Sequence, residues 1–206
     1  MSLLRVRDAS KLLEAIDVET FAEDERLPYW AELWPSAIAL AHWTLDTPGF
    51  RGRKVLELGC GIGLGGITAA RAGGAVTMTD YEDDALLFAR YNAAKNAQQP
   101  LPVVRHLDWR SPRGIGTYDV ILGADIVYER RNFAPLLGLF RQALSPEGCV
   151  MMTEPDRSIG RDFFSAAAAD GFLLERRTTT VVRRNRPTTV TCTLLREGSS
   201  RGRDGV

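Results

Sequence analysis

The segment 55–66 reads VLELGCGIGLGG, an apolar run that breaks into five glycines within eight residues. Glycine supplies positive φ and close backbone approach, so this composition specifies a strand that ends abruptly and a helix that starts in a tight turn. Gly61, Gly63 and Gly66 have the G-x-G-x-x-G spacing of a dinucleotide-binding turn. The open, doubly wound α/β sheet is the principal fold that opens on such a unit. Glu57, two residues before Gly59, is out of keeping with a pyrophosphate ligand, because a carboxylate repels it.

The rest of the chain keeps the alternation that this fold requires. KVLEL (54–58), AVTMTD (75–80), LPVVRHL (101–107), YDVILGAD (118–125) and GCVMMTE (148–154) read as strands. Helical patterns fill the gaps over 63–73, 83–97, 132–144 and 162–170. In the second, Asp83 suits an N-cap, and Leu87, Tyr91 and Ala94 share one face. In the third, Pro135 suits a first turn and Ser145-Pro146 a stop. FLLERRTTTVVRR and PTTVTCTLLRE then read as two β-runs joined in a hairpin at Asn185-Arg186-Pro187. Five βα units and a terminal hairpin predict an α/β, Rossmann-like doubly wound sheet with helices on both faces and an antiparallel end. Residues 1–198 are expected to form one domain, with 1–50 an N-terminal helical cap on a core of 51–198, and 199–206 a flexible tail.

Charge decides against several partners. The chain has 26 basic and 26 acidic residues, whereas a generic nucleic-acid binder shows a basic excess, so no nucleic acid is expected. The charges are segregated: Glu14–Glu25 holds six acids and no base, and Gly171–Val206 holds eight arginines against three acids. No apolar segment reaches the roughly 20 residues that span a bilayer, and Arg5, Arg7 and Asp8 interrupt any leader-like run. Three scattered cysteines, Cys60, Cys149 and Cys192, fit a reducing compartment, and the cytoplasm is the expected location. His42 and His106 have no ligand-spaced neighbours, so no metal is expected.

In doubly wound sheets, ligands sit beyond the carboxyl ends of the strands. Here each of the five strands ends at or near an acid: Glu57, Asp80, Asp108, Asp125 and Glu154. Such a rim suits a ligand with cationic groups and a ribose. S-adenosylmethionine has a sulfonium, an ammonium, two ribose hydroxyls and an adenine. Gly59, Gly61 and Gly63 would admit it closely, with Glu57 facing its positive charge. Asp80, 21 residues past Gly59, is placed to accept both ribose hydroxyls. Tyr81 and Trp109 offer apolar faces to adenine, and Asp108 an acceptor for its amino group.

VLELGCGIGLGG followed by TD resembles the cofactor motif of seven-β-strand, class I S-adenosylmethionine-dependent methyltransferases. The resemblance runs through about residues 53–196 and implies the strand order 3-2-1-4-5-7-6, with the last strand antiparallel. PYWAELWPSAIALA (28–41), YNAAKN (91–96) and ILGADIVY (121–128) are similar to a narrower group. It is the protein-lysine methyltransferase family whose members act on electron-transfer flavoprotein β-subunit and on calmodulin. Its acid-x-x-aromatic signature falls on Asp125 and Tyr128, and its leading tryptophan segment on Trp30, Trp34 and Ser36. The resemblance also places Trp34 and Ala124 beside the cofactor. The short acidic N-terminus and EPDR (154–157) depart from the family pattern.

Methyl transfer from a sulfonium is an in-line displacement on an activated carbon, so alignment matters more than strong acid or base. An acceptor lysine must still lose a proton, which desolvation and a nearby acceptor promote. Asp125 would stand beside the reacting methyl, and Tyr128 would line the lysine channel. S-adenosylhomocysteine is then the product and a lysine-bearing protein the partner, drawn to an acidic, aromatic mouth. Two alternatives stay open. The same core supports methylation of a small-molecule amine or other metabolite, and GIGLGG alone suits a nicotinamide-dependent oxidoreductase.

Overall fold

The computed structural model describes residues 1–8, 11–12, 28–96 and 100–198. The acidic stretch Glu14–Glu25 and the tail 199–206 lie outside the described residues. Strand β1 (Lys54–Leu58) is buried from Val55 onward. Strand periodicity turns Val55 and Glu57 to one face, and Leu56 and Leu58 to the other. Parallel with β1 lie β2 (Ala75–Asp80) and β3 (Val103–His106) on one side. On the other lie β4 (Tyr118–Ala124) and β5 (Leu144–Pro155). Beyond β5, β7 (Arg186–Glu197) and β6 (Phe172–Arg183) run antiparallel as a hairpin. The sheet order is β3-β2-β1-β4-β5-β7-β6, the order that the resemblance implies.

Helices α1 (Pro35–Asp46), α2 (Leu64–Arg71) and α3 (Asp83–Asn96) cover the Val55 face. There Leu40, Ile67 and Leu86 pack on Val55, Met78, Val120 and Met151. Helices α4 (Phe133–Ala143) and α5 (Ser158–Ala169) cover the other face, where Phe140, Phe163 and Phe164 meet Leu56, Ile121 and Val150. This two-sided burial explains the continuous apolar runs of β4 and β5. The direction of strand progression reverses between β1 and β4, and the crevice at their carboxyl ends is the position for a ligand.

Four local expectations are corrected. The hairpin turns at Arg184-Asn185, both at positive φ (50° and 61°), so Arg186 and Pro187 belong to β7. Proline is tolerated there because β7 pairs with β5 only from Val190 onward, leaving one side of Pro187 without a neighbouring strand. Helix α3 buries its small-residue stripe, Ala85, Ala89 and Ala93, while Leu87 and Tyr91 are exposed. Ser145-Pro146 does not lead out into a loop; β5 starts at Leu144, opposite Tyr118, with a register shift before Cys149. Helix α5 begins at Ser158, a turn before the apolar run at Phe163.

The asparagines of YNAAKN have a structural task. The Asn92 amide accepts from Leu4 N–H (2.6 Å) and donates to the carbonyls of Leu4 and Ile62 (both 2.9 Å). Asn96 exchanges two bonds with Ser2 (2.9 and 2.8 Å). The N-terminal residues are thereby paired to α3 as an edge strand would be.

Glu154, at the end of β5, is 4% exposed and its Oε2 has no hydrogen-bond partner among the described residues. It fits only because residue 160 on α5 is glycine; a methyl there would collide with the carboxylate. Burial, with Asp156 nearby, pushes Glu154 up to about 7 against the partial opposition of Arg176 and Arg161. An unfolded glutamate titrates near 4.5, so between 4.5 and about 7 the folded state holds the extra proton. Stability contributed by Glu154 is therefore complete below about 4.5 and lost as the pH rises through about 7. The melting temperature of the wild type should fall by at least about 5 °C between pH 5 and pH 8. Glu154→Gln should flatten that slope without removing it, because buried Glu57 acts in the same direction. Calorimetry of the two proteins at both pH values checks this; identical slopes contradict it.

Candidate active site

Loop geometry at the end of β1 follows from Glu57. Its Oε2 accepts the Gly66 N–H at 2.8 Å, satisfying a donor that the start of α2 would otherwise leave orphaned. The carboxyl occupies the space where side chains at Gly65 and Gly66 would sit: a methyl on Gly66 would meet Oε2 at 2.6 Å and also run into Met78. Two of the five glycines thus exist to admit a buried glutamate. Burial, with Asp80 close by, pushes Glu57 up to about 8. At neutral pH it is mostly a neutral acid turned into α2, not an open carboxylate, although it lines the cavity described next.

The cavity opens over the carboxyl ends of β1, β2 and β4 and is lined by residues between Tyr29 and Asn132. It collects Trp34, Glu57, Gly59, Gly61, Asp80, Tyr81, Asp108, Trp109, Ala124, Asp125 and Tyr128 from five separate stretches of chain. Gly63 does not line it. That residue starts α2 at φ 90°, and a methyl there would lie 3.4 Å from Ala89 of α3. Gly59 and Gly61, at φ 60° and 51°, form the cavity floor.

Asp80 ends β2 with Oδ2 accepting the Gly61 N–H (2.8 Å) and Oδ1 accepting the Glu82 N–H (3.1 Å). Each oxygen keeps a second lone pair. Burial raises its pKa from the usual value, partly offset by those backbone bonds. Asp108 is held by Arg110 in a bidentate pair, Nε to Oδ1 at 2.9 Å and Nη2 to Oδ2 at 3.0 Å. The bonds from Arg110 outweigh the cost of burial and lower its pKa. Arg110 also lies over the Tyr81 ring, 5.1 Å from its centroid. Trp109 packs into the core and turns its indole N–H toward Asn132 Oδ1 (3.4 Å).

Asp125 directly follows β4 in the left-handed conformation, φ 58°, with its N–H bonded to Thr153 O (2.8 Å). Its side chain is 6% exposed and forms an ion pair with Arg157, while Oδ2 accepts from Ser36 Oγ at 3.4 Å. Ser36 is fixed in turn by its carbonyl, which accepts the Thr153 hydroxyl (2.8 Å). An aromatic wall closes this side. Tyr128 lies 5.4 Å from Tyr29, ring to ring, and burial pushes its hydroxyl up to about 12. Trp34 donates its indole N–H to Tyr29 O (2.9 Å). Trp30 packs on Phe88 of α3, 5.2 Å between centroids, and lines the same cavity as Trp34. Sequence reasoning missed Tyr29, Arg110 and Arg157. The last two had only adjacency to acids to mark them.

The lining fits S-adenosylmethionine by its donor set and its shape. Six acids besides the buried Glu57, namely Glu32, Asp80, Glu82, Asp108, Asp125 and Glu129, stand against Arg110 and Arg131. A methyl added at Gly59 would fill the floor, 2.8 Å from Ile126 and 3.6 Å from Trp109. A solved structure with this fold is magnesium protoporphyrin IX methyltransferase from Synechocystis, determined with bound S-adenosylmethionine. It superposes with a TM-score of 0.62 at 19% identity, covering 88% of this chain and 86% of that one. That likeness is one of fold. The lysine methyltransferase family profile matches residues 18–170, and the chain belongs to that S-adenosylmethionine-dependent family. It is 36% identical over 160 residues to EEF1A lysine methyltransferase 3 of Mus musculus, covering 73% of this chain and 67% of that protein. Against protein N-lysine methyltransferase METTL21A of Xenopus tropicalis the identity is 34% over 160 residues, with 74% of each covered.

Proposed function

We propose that the protein methylates the side-chain amine of a lysine on a protein partner. The observation that carries this is the pairing, in one cavity, of an acid-rich floor with an aromatic wall around Asp125. Asp80 would hold the ribose hydroxyls with its remaining lone pairs, and Gly59 and Gly61 would let the ligand reach the backbone. Tyr81 and Trp109 would flank the adenine. When bound, S-adenosylmethionine supplies an electrophilic methyl on a sulfonium. Asp125 attracts the incoming ammonium, competes with water for it and accepts its proton as the free amine forms. Tyr29, Trp34 and Tyr128 exclude water and offer ring faces to a cation. Arg157 occupies the Asp125 carboxylate until the substrate ammonium takes its place.

Thermal denaturation tests the cofactor half of this reading. S-adenosylhomocysteine at 100 times its dissociation constant should stabilise by about 2.7 kcal/mol. In a chain of this size that is a rise of about 5–10 °C. NAD and NADP should give none. A rise with NAD and not with S-adenosylhomocysteine would restore the oxidoreductase reading.

A further inference from the structure

The β6–β7 hairpin and its turn carry six arginines, and four have intramolecular work. Arg176 lies over Phe164 (4.9 Å) and Arg177 over Trp43 (5.0 Å). Arg196 pairs with Glu175 at 2.7 Å, and Arg183 with Glu32. Arg184 and Arg186 are exposed and have no partner among the described residues. Both stand at the tip. The last β5–β7 pair is Pro155 with Val190, so Arg186–Thr189 overhang the sheet. Four residues at about 3.3 Å each make an overhang of about 13 Å. It projects from the edge that carries the cavity, and Glu32, the partner of Arg183, lines that cavity. Pro35, next to Trp34, borders the same depression as Arg183, Arg184 and Arg186.

The turn itself does not favour this arrangement. A two-residue turn with both φ positive prefers Asn-Gly, yet its first position here is Arg184 at φ 50°. A side chain that the local backbone disfavours, left without an intramolecular partner beside an active-site mouth, marks a site that serves something other than the fold.

We infer that the hairpin tip is a docking arm for carboxylates on the protein substrate, reading acidic residues beside the target lysine through Arg184 and Arg186. This rests on the protein-lysine reading above and adds the chemistry of the partner to it. Guanidinium groups engage carboxylates in bidentate pairs, and unpaired arginines at a rim steer encounter over a Debye length. Phosphate is the poorer match, because the acids of the adjoining cavity repel a polyanion while tolerating a mixed surface with a lysine at its centre.

The test is labelled methyl transfer from S-adenosylmethionine into protein of a dialysed, nuclease-treated cell lysate, with modified lysines mapped by mass spectrometry. The charge reversal R184E/R186E should lower incorporation at least about tenfold with S-adenosylhomocysteine affinity unchanged. R184K/R186K should keep about half. The turn-optimised pair Arg184→Asn with Asn185→Gly should melt about 2–4 °C higher yet label more slowly. Mapped lysines should have more Asp and Glu nearby than unmodified lysines of the same proteins. Incorporation within twofold of wild type for R184E/R186E, or no acidic enrichment, overturns the inference. So does labelling that requires intact nucleic acid. If wild type labels no lysine at all, the protein-lysine reading fails and this inference falls with it.

Discussion

Asp125→Asn should lower the single-turnover rate of methyl transfer by about 10²–10⁴-fold, the range for losing a positioned proton acceptor. The dissociation constant of S-adenosylmethionine should change less than about threefold. Asparagine is the right probe because position 125 sits at φ 58°, a conformation that Asp and Asn tolerate better than other non-glycine residues. The backbone, the Thr153 bond and the volume are therefore kept, and only the charge goes. What remains cannot neutralise an ammonium or take its proton, so the loss appears in the chemical step. The amide also loses its ion pair with Arg157, which frees that side chain without touching the cavity floor. An unchanged rate would reassign Asp125 to holding the β4 loop. An equal fall in rate and cofactor affinity would make it a cofactor ligand.

Asp80→Ala should weaken S-adenosylmethionine binding at least about 100-fold, since two hydroxyls lose a charged acceptor worth about 1.5–3 kcal/mol per bond. The structure adds a second cost that the strand-end position alone did not suggest. Asp80 also holds the N–H groups of Gly61 and Glu82, so its removal leaves the glycine turn unanchored. Melting temperature should fall together with affinity, by about 2–6 °C, from stranded donors at about 1–3 kcal/mol. Asp80→Asn separates the two effects, because its one carbonyl oxygen can still accept from Gly61 while the charge facing the hydroxyls is lost. Calorimetric titration of both variants, with circular dichroism for the fold, decides it. Wild-type affinity in a folded Asp80→Ala protein would remove Asp80 from the site.

The parts of the molecule legible in sequence are those with local causes. Strand cores announce themselves by apolar residues on both faces, and the glycine turn by its spacing. Four of the five acids at strand ends mark the rim, because topology puts those carboxyl ends on one edge, whereas Glu154 is buried against α5 and does not line the cavity. Contacts closed over long separations leave no such trace. Arg157 reaches Asp125 across 32 residues, and Asn92 binds Leu4 across 88. Glu57 was legible as a site acid but not as the cap of α2, since that depends on how Gly65 and Gly66 pack over it. On α3 the choice of face failed for a general reason. Large apolar residues suggest the buried stripe, whereas a helix lying close on a sheet buries its alanines and leaves Leu87 and Tyr91 outside. At the hairpin, proline reads in sequence as part of the break, and it is instead Arg184 and Asn185 that turn.

The destination of the methyl group decides the function. Enzyme and labelled S-adenosylmethionine, incubated with a dialysed lysate and with its low-molecular-weight fraction separately, give products that tandem mass spectrometry can place atom by atom. The label should appear on lysine Nζ in protein, be absent from the small-molecule fraction, and vanish with Asp125→Asn. Label confined to the small-molecule fraction would contradict the protein-lysine assignment and leave a methyltransferase of metabolites in its place.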